Sequence, residues 1–174
     1  MSAYLGAASL ITDPAYVTAA GSILTTEARH QTWVNSAALT GTPWSGPEDT
    51  PLGFSQVYSI AGAFITSCPS TNPTLPVTAF PNLTLKESSY KAGDKVTLVF
   101  PTTGQSENLI IYSGLMSYVA PIASDETVTI PANLEGTAYG IVTTASDAAS
   151  VTDANTVAGP IIMMFGVSLD SKNV

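Results

Sequence analysis

The sequence predicts an α+β chain, helical up to about residue 76 and built of short strands from residue 77 to 174. Three observations carry that expectation. Before residue 76 the apolar side chains recur three or four positions apart, the spacing that lines one side of a helix. After it they come in short runs rich in β-branched residues, each closed by turn-forming residues. Between the two lies Cys68-Pro69-Ser70-Thr71-Asn72-Pro73-Thr74-Leu75-Pro76, whose prolines remove backbone donors and keep the chain extended. The sequence therefore divides into two domains, 1-76 and 77-174, with no internal repeat.

The first helix is expected from Ala3 to Ile11. Asp13-Pro14 then restarts the helix, because aspartate accepts from free backbone N–H groups at a helix start and proline needs no donor at the first helical position. The second helix runs from Pro14 to Leu39 with Tyr16, Ala20, Ile23, Leu24, Val34 and Ala38 on its apolar side, and Thr40-Gly41-Thr42-Pro43 ends it. A proline- and glycine-rich loop from Trp44 to Gly53 leads to a third helix, Phe54 to Thr66, with Val57, Ile60, Ala61 and Phe64 on one side. Strands are expected at Leu83 to Glu87, Lys95 to Phe100, Asn108 to Ser113, Tyr118 to Ile122, Thr127 to Ile130, Ala138 to Thr144 and Ile161 to Val167. Lys91-Ala92-Gly93-Asp94 is a turn before a strand, and Ala145 to Thr156 is a polar, partly helical loop. Seven strands in about ninety residues is the count of an immunoglobulin- or fibronectin-like β-sandwich, here without the cysteines of antibody domains.

Composition narrows the function classes. At 45% hydrophobic the chain has ample material for a core, and only 10% of its residues are charged. Acidic residues outnumber basic ones 13 to 5, giving a thinly spread net charge of -8. Arg29, Lys86, Lys91, Lys95 and Lys172 are too few to neutralise a run of phosphates, which argues against nucleic acid and anionic membrane as partners. No apolar run is long enough for a membrane span. Met1-Ser2-Ala3-Tyr4 lacks the basic start of a signal peptide, so either a leader has been removed or the protein is cytosolic; the abundance of Ser, Thr, Ala and Gly favours a secreted, extracellular protein. Cys68, the only cysteine, excludes an intrachain disulfide and is expected to be a buried, inert thiol or, in a secreted chain, an intermolecular disulfide. Asn82-Leu83-Thr84 is a glycosylation sequon.

The sharpest chemical signal is Glu27-Ala28-Arg29-His30. Glu-x-x-His on a helix puts two metal ligands on one side, the arrangement that dimetal carboxylate proteins use twice, with a further glutamate from each of two other helices. This chain holds a single histidine. With Ile23, Leu24 and Val34 on the same side, Glu27 and His30 are expected to face the protein interior, as metal ligands or as a buried polar pair. A Ser-His-Asp triad is disfavoured, since His30 lies on a helix side and no Gly-x-Ser-x-Gly occurs. The adjacent carboxylates Glu48-Asp49 and Asp125-Glu126 read as solvated turn residues, and Asp147 and Asp153 lack the further ligands that calcium needs.

Three stretches resemble a known family: Tyr4-Leu5-Gly6-Ala7-Ala8, Ala19 through Gln31, and Pro51-Leu52-Gly53-Phe54. Together they are similar to the carboxy-terminal part of the fungal secreted ferritin-like proteins, the stress-response and desiccation-related family, over roughly residues 4 to 84. The resemblance implies that the Glu-x-x-His helix is the last of a four-helix bundle, that Glu27 and His30 match the family's ligands, and that earlier helices, absent from this chain, supply the rest. Among nearby groups only Glu48 and Asp49 could help complete such a set. Helices separated from a bundle expose apolar surface, so a homodimer through the helical region is expected.

The favoured expectation is a non-enzymatic secreted fungal protein without a cofactor, acting by self-association and by contact with a cell-surface receptor or glycan, similar to mushroom immunomodulatory proteins that are not lectin-like. Trp44, Tyr90, Tyr112 and Tyr118 are the aromatics available for such contact, too few on one sandwich face for a carbohydrate-binding module. The alternative is a ferritin-like protein or fragment holding iron or manganese on Glu27 and His30.

Overall fold

The computed structural model describes residues 1–39 and 43–166 and has the α+β architecture, three amino-terminal helices followed by an antiparallel β-sandwich. Helix α1 is Ser2–Ala7, tightening into a 3-10 turn at Ala8–Leu10. Helix α2, Pro14–Trp33, starts where Asp13-Pro14 places it: the Asp13 carboxylate accepts from the Ala15 N–H at 2.8 Å. Its last turn widens into a π-helical turn, Val34–Ala38, and the terminating segment 40–42 lies outside the described residues. Helix α3 is Phe54–Gly62, where Gln56 Oε1 accepts from the Gly53 N–H at 2.9 Å. It is shorter than the expected Phe54 to Thr66.

The strands are β1 (Thr84–Leu85), β2 (Lys95–Val99), β3 (Asn108–Ser113), β4 (Met116–Pro121), β5 (Thr127–Thr129), β6 (Gly136–Thr143) and β7 (Thr156–Phe165). They form two sheets, β1-β2-β5 and β4-β3-β6-β7, with every pairing antiparallel. The chain changes sheet between β2 and β3, between β4 and β5 and between β5 and β6, the Greek-key crossing of an immunoglobulin- or fibronectin-like sandwich. Alternate side chains meet between the sheets: Val96, Leu98 and Val128 from one, Leu109, Ile111, Ala138, Val142 and Met163 from the other. Strand β7 begins five residues before the expected Ile161, because its early part carries a register shift against β6 near Gly159-Pro160 that hides the alternation. The expected Val167 lies outside the described residues.

The other side of the four-stranded sheet is covered as well. Ile110 and Ile141, paired across β3 and β6, point away from the inter-sheet core, yet both are 0% exposed. The amino-terminal segment lies on this side and is held by hydrogen bonds at several points. The Thr137 N–H on β6 donates to the Ser45 carbonyl at 2.6 Å, the Gly114 N–H to Thr50 Oγ1 at 2.8 Å, and Ser55 Oγ on α3 to Asp153 Oδ2 at 2.5 Å. Two glycines allow the close approach. A Cβ on Gly136, whose φ is +69°, would lie 1.8 Å from the Ser45 carbonyl oxygen, and one on Gly6 would lie 1.8 Å from that of Leu52. Thr50, Leu52 and Ser55 are buried along this seam.

Candidate functional site: the outer side of helix α2

Helix α2 rests mainly on α1 and has no buried residue. Its half-buried positions, Ala20, Leu24, Ala28, Gln31 and Asn35, repeat every three or four residues and mark the side turned toward the rest of the molecule. Beside it runs a second stripe with the same helical spacing, in which Tyr16, Ile23, His30 and Val34 are exposed and Glu27 lies half-buried at its edge. Tyr16 is 69% exposed, Ile23 45% and Val34 42%. Trp33 and Leu39 add further uncovered apolar surface near the end of the helix.

Glu27 and His30 sit midway along that stripe. His30 is exposed, and the half-exposed Glu27 carboxylate accepts from the Met1 amino group at 2.9 Å. The expectation that the pair faces the interior is therefore corrected. Ile23 and Val34 do share its side, but the neighbouring Gln31 is the α2 residue that lines a cavity with Ile60 of α3 and Tyr139 of β6. Periodicity groups residues by side without saying which side the molecule occupies. Among the described residues no three His, Cys, Asp or Glu side chains come together as metal ligands. One copy thus supplies two donors, short of the carboxylates and second histidine that a dimetal centre requires.

The other carboxylates hold local structure. Asp49 accepts from Ser45 Oγ, while Glu48 is exposed beside Gly114, so the pair diverges and does not complete a ligand set. Asp125 accepts from the Thr127 hydroxyl and N–H, which hold its carboxyl below the usual range, and lies 4.0 Å from Lys95 Nζ. Its neighbour Glu126 takes a positive φ of 61° in the same turn. Asp147 accepts from the Ser150 N–H at 2.9 Å, a bond that lowers its pKa, whereas Asp153 is tied to Ser55; the two do not converge on a calcium site. Glu87 is likewise lowered, first by the Thr97 N–H that donates to it.

Buried Glu107 had no sequence signal, because its partners are loop residues: Thr103 N–H at 2.7 Å, Thr103 Oγ1 at 2.8 Å and Thr102 Oγ1 at 2.9 Å. It clamps the loop before β3. A cavity of about 220 Å³ opens in the seam between the helices and the sheet, lined by Ser2, Gln31, Asp49, Leu52, Ile60 and Tyr139 among others. Ser2 Oγ donates to Tyr139 Oη there at 3.3 Å.

Cys68 is exposed, contrary to the buried-thiol expectation, because the proline-bearing segment around it runs over the surface. Asn82 is exposed just before β1. Of the four aromatics, only Trp44 is open to solvent. Tyr90 packs edge-on against Phe165 at 5.9 Å, Tyr118 Oη accepts from Asn133 Nδ2 at 3.4 Å, and burial raises the Tyr112 pKa. Among the described residues no helix is long and apolar enough to cross a membrane.

Comparison with known proteins adds one likeness. Residues 1–40 match the ferritin-like domain family, a stretch that holds α1, α2, Glu27 and His30 and stops before the loop leading to α3. No curated protein matches the chain. The helical start is thus similar to a ferritin-like domain over less than a quarter of the sequence, and the β-sandwich lies wholly outside the match.

Proposed function

We propose that α2 is an assembly helix, through which two copies of this protein associate as a homodimer while the β-sandwich presents its loops to a cell-surface receptor or glycan. The observation that carries this reading is the outward apolar stripe of Tyr16, Ile23 and Val34. Apolar surface is worth roughly 25 cal/mol per Å² when removed from water, and a two-fold contact counts each side chain twice. In this reading the protein is a non-enzymatic, secreted, extracellular protein of fungal type, possessing no resident cofactor and acting through surfaces, with immunomodulation as one outcome of such contact. Sedimentation velocity on the wild type and on an Ile23→Glu, Val34→Glu variant tests it. A wild-type dimer at micromolar concentration and a folded, monomeric variant are expected; a monomeric wild type overturns the proposal.

A second reading has the support of the family match, which spans the Glu-x-x-His pair. In it the chain is a ferritin-like metal-binding protein or fragment, and association of α2 helices brings several Glu27 and His30 side chains to one seam. Iron or manganese would then be the bound ion. Elemental analysis of untagged protein, before and after Glu27→Ala with His30→Ala, separates the readings: stoichiometric metal lost in the variant supports the second, and metal-free dimer supports the first.

A further inference from the structure

We infer that the segment from Thr66 to Thr78 is a site of O-linked glycosylation, a reading that rests on the proposed secretory location. Its hydroxyl residues are Thr66, Ser67, Ser70, Thr71, Thr74 and Thr78, interleaved with Pro69, Pro73 and Pro76. All six are exposed, and none of their hydroxyls makes a hydrogen bond to any described residue. Many hydroxyls elsewhere are engaged: Thr18, Thr26, Thr32 and Ser36 donate to helix carbonyls one turn back, and Thr97, Thr127 and Thr143 bond within or beside the sheets. Ser88, Ser89, Ser106, Ser117 and Ser124 are exposed as well, but they stand singly or as one pair with no interleaved prolines.

The difference matters chemically. A glycosyltransferase must draw an extended peptide across its active site, so a hydroxyl on a helix or in a ladder is reached only after local unfolding. Here the backbone from 63 to 82 has neither helix nor strand, and the turn from Pro69 to Asn72 within it is closed by one backbone bond of 3.1 Å, so little local structure has to open. Serine- and threonine-rich segments bearing proline are the composition of O-glycosylated stalks. The step transfers a sugar from an activated sugar phosphate: the bond from the anomeric carbon to the phosphate oxygen breaks, a bond to Oγ forms, and the hydroxyl proton leaves with the phosphate. Sugars here would also shade Leu75 and the nearby Ile65, both exposed.

The test uses the full chain, secreted from a eukaryotic host under a supplied leader, treated to remove N-linked glycans and mapped by electron-transfer fragmentation. The expected result is hexose or hexosamine on the peptide spanning residues 63 to 82, absent from sandwich peptides and lost in a variant with all six hydroxyl residues changed to alanine. That variant should keep the wild-type circular dichroism, since the six hydroxyls bond to no described residue. A bare peptide on secreted protein overturns the inference, as does sugar spread equally over sandwich serines and threonines. Intact mass and location of the protein from its own source test the secretory reading separately; retention inside the cell overturns that reading while the supplied-leader result still decides whether the segment is an acceptor.

Discussion

Replacing Gly136 by alanine tests how the amino-terminal segment is fastened to the sandwich. The residue has a φ of +69°, where an L side chain costs roughly 1–2 kcal/mol. The new Cβ would lie 1.8 Å from the Ser45 carbonyl oxygen, so the loop must retreat, and the 2.6 Å bond from Thr137 N–H to that oxygen is lost or stretched. A hydrogen bond of this kind contributes about 0.5–1.5 kcal/mol, and the expected total is about 2–4 kcal/mol once the displaced packing at the seam is included. For a chain of this size each kcal/mol moves Tm by roughly 2–4 °C, so a fall of roughly 4–16 °C is expected in scanning calorimetry. Gly21→Ala is the matched control. No atom lies within 4 Å of its added Cβ, and alanine in place of glycine inside a helix stabilises by up to about 1 kcal/mol. If Gly136→Ala melted with the wild type or above it, the close approach of loop and strand described above would be wrong.

Other outcomes are equally specific. Ile110→Ala should lower stability by about 2–5 kcal/mol in urea unfolding, as for a core residue, because its 0% exposure requires the outer side of the sheet to be covered; a loss under about 1 kcal/mol would mean a bare sheet. Asp125, Glu87 and Asp147 have lowered carboxyl pKa values, so their contribution is present above the unfolded pKa near about 4 and disappears as pH falls through the folded values. Thermal scans below about pH 4 should show this acid loss, and Thr127→Val should lessen its steepness. Tyr112 has a raised pKa, so it contributes fully below its unfolded pKa of about 10 and that contribution is lost as pH rises through the folded value; Tyr112→Phe should remove this alkaline component of the melting profile.

Much of the architecture was legible because it depends on local chemistry. Asn108–Ser113 has the same bounds in the sequence reading and in the structure, since Leu109, Ile110 and Ile111 form a continuous apolar run buried on both sides of a sheet. The start of α2 followed from the Asp13 cap and Pro14. What stayed hidden depends on partners distant in sequence. Glu107 and Thr50 look like ordinary loop residues until the folded chain buries them, and the Gly136 approach to Ser45 joins positions on opposite sides of the helical-to-strand join. The Glu27 and His30 pair shows the same limit: its side of the helix was readable, its exposure was not.

If α2 pairs with α2 of a second copy, as proposed, its amide exchange will depend on protein concentration. A helix of 20 residues without buried side chains should open readily when solitary and be protected when its outer stripe is covered. Hydrogen exchange followed by mass spectrometry is therefore expected to show the amides from Tyr16 to Val34 gaining protection as protein concentration rises, while those of β3 and β6 stay constant. Exchange of α2 that is the same at every concentration, in protein that remains folded, would mean that α2 has no such partner.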